Sequence, residues 1–113
     1  MRKLLLDTHT LLWWLADHPR IGVKAKSLIA EPRNAIYVCA VSHWEISINK
    51  SLGKLSAAEN LDQVVGEWGF TKLPISYFHG DQAGALPKHH KDPFDRMLIA
   101  QAQSEGCLLY TSD

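Results

Sequence analysis

Short apolar runs alternate along the chain with longer segments whose apolar positions recur at helical spacing. Lys3–Leu6, Ile36–Ala40, Phe70–Leu73 and Leu108–Tyr110 predict strands. Thr8–Ala16, Val23–Ala30, Val41–Leu52, Leu61–Trp68, Ser76–Ala83 and Pro93–Ser104 predict helices. The punctuation agrees: His18–Pro19 and Pro32 stop the first two helices, and Gly53, Gly69 and Gly106 stand just past three others. Strands separated by helices imply an α/β fold in three layers, with a mostly parallel sheet covered by helices on both faces. No repeat, low-complexity stretch or Gly/Ser linker divides the 113 residues, so one domain over residues 1–113 is expected.

Composition narrows the class. The chain is 46% hydrophobic and 21% charged, as in ordinary globular proteins. Its two cysteines, Cys39 and Cys107, sit in apolar runs and predict buried free thiols in a reducing compartment. The opening MRKLLLDTHT has an apolar run too short for a signal peptide or a membrane span, so a cytoplasmic protein is expected. Twelve basic and twelve acidic residues cancel, which does not mark a nucleic-acid binder. If four acids are set aside as ligands, however, the twelve basic residues outnumber the remaining eight acids. An acidic pocket in a mildly basic surface suits a polyanion held over a cation.

Asp7, Glu45, Asp95 and Asp113 supply those four acids. Each lies where an apolar run gives way to a helix, or at the end of such a run. In open α/β sheets ligands bind at the carboxyl ends of strands, and carboxylates gathered there repel one another unless a hard cation is present. Each also has a structural explanation. Asp7 suits an N-cap, Ser42–Glu45 fits a capping box, and Asp95 sits well near a helix N-terminus, while Asp113 could be a solvated chain end. Helical phase favours the ligand reading for two of them. At about 100° per residue, Leu98, Ile99 and Ala102 fall within roughly 60° of Asp95, and Val41, Ile48 and Leu52 within roughly 60° of Glu45. Both acids are thus expected inside apolar stripes, a costly place for an unpaired carboxylate. Asp92 lacks this support and reads as an N-cap ahead of Pro93.

The segments DTHTLLWWL, SHWEISINKSLGKL, HHKDPFDRMLIAQA and the closing YTSD resemble the four acidic motifs of PIN-domain nucleases, in the form found in VapC toxins of toxin–antitoxin pairs. The resemblance spans the whole chain. It implies a three-layer PIN-like domain acting as a Mg²⁺- or Mn²⁺-dependent endoribonuclease on tRNA or other translation RNA, with Asp7, Glu45, Asp95 and Asp113 as metal ligands and catalytic residues. The cations would activate water and neutralise charge on the phosphodiester. Thr8 and Thr111 are expected to support water near the site, and Arg96 to contact phosphate or to serve as a surface cation. The resemblance further implies a homodimer and a tightly bound cognate antitoxin. Relatives usually continue past the last motif with another strand. The chain is therefore expected to be short at its C-terminus relative to the family, with Leu108–Tyr110 near an exposed sheet edge that favours self-association.

Competing readings are a PIN-fold binding module that titrates antitoxin without catalysis, and a divalent-metal phosphatase. His89–His90–Lys91 lacks the second spaced pair that a zinc site needs and fits better as a loop cation pair near RNA. Asp7–Thr8–His9–Thr10 resembles the opening of an aspartyl-phosphate phosphotransferase, but the second aspartate of such enzymes is absent. No Gly-rich phosphate loop or Ser-His-Asp pattern is present. Trp13 points away from the apolar stripe of Leu11, Leu12, Trp14 and Leu15, which predicts either a partner contact or cover by a neighbouring loop.

Overall fold

The computed structural model describes residues 1–55, 60–88 and 91–111. Four strands, β1 (Lys3–Leu6), β2 (Ala35–Cys39), β3 (Thr71–Leu73) and β4 (Leu108–Tyr110), form a parallel sheet in the order β3-β2-β1-β4. Leu4 pairs with Ile36 on one side and Leu108 on the other, and Leu6 with Val38 and Tyr110. The helices are α1 (Thr8–Leu15), α2 (Gly22–Ala30), α3 (Ala40–Ser51), α4 (Leu61–Glu67), α5 (Tyr77–Ala85) and α6 (Pro93–Glu105). The expected three-layer α/β architecture is met. Among the described residues β4 pairs only with β1, so it lies at the sheet edge as anticipated.

The apolar run Leu4–Leu6 shows why the sheet is covered on both faces. Alternate side chains of a strand point to opposite sides. Leu4 and Leu6 pack with Leu11, Ala25, Ile29, Leu61 and Val65 of α1, α2 and α4. Leu5 faces the other way, among Val41, Leu98 and Ala102 of α3 and α6. All three leucines are buried, which an unbroken apolar strand requires.

Differences from the sequence reading fall at element ends. A single 3-10 turn, Pro19–Ile21, leads into α2, with His18 Nδ1 accepting from the Arg20 N–H at 3.1 Å. Ala40 belongs to α3 rather than to β2, and Cys39 is the N-cap of α3, its Sγ accepting from the Val41 N–H at 3.2 Å. The capping box read at Ser42–Glu45 is therefore incorrect, because both residues lie inside the helix. A capping box forms instead at α5, where Ser76 accepts from the His79 N–H and His79 Nδ1 accepts from the Ser76 N–H. Phe70 is buried ahead of β3, and Leu52, placed in the core stripe by phase, caps the end of α3 and is exposed. Trp13 stacks on His18 at 5.9 Å, so the turn after α1 covers it. Both cysteines are free; Cys39 is buried and Cys107 half-buried. Among the described residues no helix is long and apolar enough to cross a membrane.

Candidate active site

Parallel strands put every β-to-α junction at one end of the sheet, and there a cavity of about 480 Å³ opens. Its wall includes Asp7, Thr8, Glu45, Asp92, Asp95 and Thr111. Three helix starts build it: α1 directly after β1, α3 directly after β2, and α6, which runs back toward β4. The Asp7 N–H donates to the Tyr110 carbonyl at 3.1 Å, tying the end of β1 to the end of β4 and holding Thr111 beside Asp7. The unsatisfied N–H groups and dipoles of helix starts favour negative charge, which makes this end of the fold hospitable to carboxylates and to phosphate.

Each acid is held differently. Asp7 is the N-cap of α1 and its Oδ1 accepts from the Thr10 N–H at 2.8 Å. The structural role and the site position thus coincide in one residue. Glu45, half-buried on α3, has Oε1 at 2.6 Å from Thr8 Oγ1, which also lies 3.1 Å from Ser42 Oγ. An ionised carboxylate can only accept, so the single Thr8 proton points at Glu45 and Ser42 donates to Thr8. Thr8 and Ser42 are both buried, and this relay fixes Glu45 against α1. Ser42 went unrecognised as part of the site; a serine one helical turn before Glu45 was the available signal.

Asp95 lines the cavity together with Leu98 and Ile99, on the side that helical phase indicated. Its burial differs from expectation. Asp95 is exposed, because it stands in the first turn of α6 where the apolar stripe emerges into the cavity. Asp92 is the N-cap of α6, accepting from the Phe94 N–H at 2.9 Å, yet it also lines the cavity. The Arg96 guanidinium donates to the carbonyls of Gly84, Leu86 and Pro87, securing the end of α5 and the turn after it. Asp113, His89 and His90 lie outside the described residues.

A second cavity, of about 590 Å³, is lined mainly by apolar residues including Leu11, Val38, Leu61 and Val65. Its one acid, Asp62, is paired with Lys72 at 2.5 Å, and that ammonium holds the carboxyl below its usual range. Carboxylate chemistry therefore concentrates in the smaller cavity.

The PIN domain family matches residues 4–113. Ribonuclease VapC22 of Mycobacterium tuberculosis (strain ATCC 25618 / H37Rv) is 31% identical over 100% of this chain and 88% of its own. The chain belongs to the PIN-domain family, in its VapC branch. The fold agrees with solved complexes. A DNA-bound VapBC from Salmonella typhimurium matches with a TM-score of 0.65 at 21% identity, covering 98% of this chain and 86% of that one. VapBC2 from Rickettsia felis bound to a promoter DNA fragment matches at 0.62 and 15%, over 95% and 84%. A toxin–antitoxin complex from Klebsiella pneumoniae matches at 0.61 and 22%, over 94% and 82%.

The donors of this PIN domain suit a hard cation. Carboxylates and threonine hydroxyls line the cavity beside one imidazole, His9, and no thiol is among its described residues, a set rich in the oxygen donors that Mg²⁺ or Mn²⁺ prefers over those of a soft metal. Among the described residues no group of three His, Cys, Asp or Glu side chains is drawn together tightly enough to hold an ion.

Proposed function

We propose that the chain is a metal-dependent endoribonuclease toxin that hydrolyses phosphodiester bonds in tRNA or other translation RNA and is silenced by a cognate antitoxin. The observation that carries this is the cavity at the strand carboxyl ends, with Asp7, Glu45 and Asp95 on its wall. The name of the VapC22 relative and the toxin–antitoxin assemblies that share the fold support the same reading.

In this reading Asp7, Glu45, Asp95 and Asp113 hold Mg²⁺, or Mn²⁺ in its place. The bound cation supplies Lewis-acid activation of water and neutralises charge on the scissile phosphate. The protein's part is placement. The Thr10 N–H orients one oxygen of Asp7, and the Thr8 hydroxyl orients one oxygen of Glu45. Thr111, tied beside Asp7 by the β1–β4 junction, offers a hydroxyl to water at the site. The toxin works in the cytoplasm as a homodimer.

The test is a cleavage assay on total tRNA with and without Mg²⁺. Cleavage that requires Mg²⁺ and disappears in Asp7→Asn is expected. A chain that binds antitoxin but leaves RNA intact would instead be a titrating module, and one that releases phosphate only from small esters would be a phosphatase.

A further inference from the structure

Among its described residues the wall of the acidic cavity carries carboxylates, threonine hydroxyls and a single nitrogen-bearing side chain, His9. Ionised carboxylates accept hydrogen bonds and cannot donate them, and the Thr8 proton is committed to Glu45. A phosphodiester that enters has two non-bridging oxygens in need of donors. The His9 ring is exposed, and among the described residues neither of its nitrogens has a hydrogen-bond partner. It is held by packing instead. Trp13, one helical turn along α1, lies against it with centroids 6.2 Å apart. Trp13 in turn stacks on His18 at 5.9 Å with planes at 23°, and the Arg20 N–H fixes His18 through Nδ1. A stack of three rings rooted in the turn after α1 thus ends at the cavity wall with its last imidazole uncommitted.

We propose that His9 is a substrate-binding residue, whose ring N–H donates to a non-bridging oxygen of the phosphodiester in the acidic cavity. The proposal rests on the nuclease reading and adds to it a phosphate anchor outside the acidic set. An imidazole offers at least one N–H whether neutral or protonated, so the contact does not depend on titration. A hydrogen bond to an ionised oxygen is among the stronger ones, and a ring already fixed by Trp13 loses little freedom in making it. His9 belongs to α1, which covers the Leu4 and Leu6 face of the sheet, while Asp95 belongs to α6 on the Leu5 face. The donor and the acids therefore approach the phosphate from different layers, which orients it as well as attracting it.

The test reads RNA binding and cation response separately in the full chain. Fluorescence anisotropy is recorded with a labelled ten-nucleotide RNA, with Ca²⁺ replacing Mg²⁺ to limit cleavage. His9→Phe keeps a ring against Trp13 and removes the N–H, so it should weaken RNA binding roughly ten-fold. His9→Gln gives up the ring and keeps an N–H of similar reach, so it should recover most of the loss. In a Mg²⁺ titration the melting temperature of both variants should rise as it does for wild type, because the donor is not a cation ligand. Wild-type RNA affinity in His9→Phe overturns the proposal. A cation response lost in both variants also overturns it and makes His9 a metal ligand. RNA binding that His9→Phe weakens and His9→Gln restores, in a chain that never cleaves RNA with Mg²⁺, would uphold the anchor and defeat the nuclease reading. Mg²⁺-dependent cleavage by wild type and His9→Phe alike, with equal RNA affinity, would do the reverse.

Discussion

At the carboxyl ends of the strands, Asp7, Glu45 and Asp95 ring one cavity; at the amino ends, Trp14, Trp68, Phe70 and Ile29 line another of about 390 Å³. The first is made from helix beginnings and the second from helix endings. Trp14 closes α1 and Trp68 closes α4, and their rings meet edge to face at 5.1 Å, with Phe70 at 6.4 Å from each. Charge at the first end is organised by hydrogen bonds from Thr8 and Thr10, whereas the second end is held by aromatic packing. Substitutions at the two ends should therefore separate activity from stability.

The largest effect is expected at the acidic end. Asp95→Asn preserves size and removes one exposed charge, so RNA cleavage should fall by more than about 100-fold with the melting temperature unchanged or slightly raised. Parallel cleavage and thermal melts check this, and a variant that loses activity only because it unfolds would erase the contrast. At the aromatic end the expectation is reversed. Trp14→Ala should lose about 3 kcal/mol in urea denaturation while the folded fraction keeps its Mg²⁺ affinity. Among the described residues the buried Trp14 Nε1 has no hydrogen-bond partner, so Trp14→Phe, which deletes that donor, should cost much less.

Two smaller effects sharpen the comparison. Burial pushes the Cys39 thiol up to about 11 from its ordinary 9.0. The unfolded chain then ionises first, so this residue's contribution is full below pH 9.0 and is lost as pH climbs toward about 11. Denaturation midpoints of wild type and Cys39→Ala should thus draw together across that interval. At α6, Asp92→Ala should cost about 1 kcal/mol through the lost cap, and Asp92→Asn only a few tenths. Cleavage should survive Asp92→Asn and not Asp95→Asn; equal damage from both would merge the cap and the ligand that α6 keeps three residues apart.

Much of this contrast was legible in the chain itself. The unbroken Leu4–Leu6 run announced a strand buried on two faces, and DPFD announced a capped helix start, because caps and periods are local. The side of α6 that carries Asp95 was legible for the same reason. Its exposure was not, since phase gives direction and cannot say where the covering sheet stops. Ser42 drew attention as a cap when its hydroxyl serves Thr8, a residue on another helix, and only the tertiary fold brings the two together. Arg96 was open between phosphate and surface because the carbonyls it reaches, of Gly84 at the end of α5 and of Leu86 and Pro87 just beyond it, come close only in the tertiary fold. Trp13 was likewise undecided, since its cover is His18, in the turn after α1.

The central claim is that the acidic end of the sheet holds a divalent cation through its carboxylates. Melting temperature measured across a Mg²⁺ titration tests it most directly, for the wild-type chain against the Asp7→Asn, Asp95→Asn double variant. A ligand that binds only the folded state raises its stability as its concentration passes the dissociation constant. The wild-type chain should melt progressively higher as Mg²⁺ rises and the double variant should not respond; an equal rise in both would place the cation elsewhere and contradict the account.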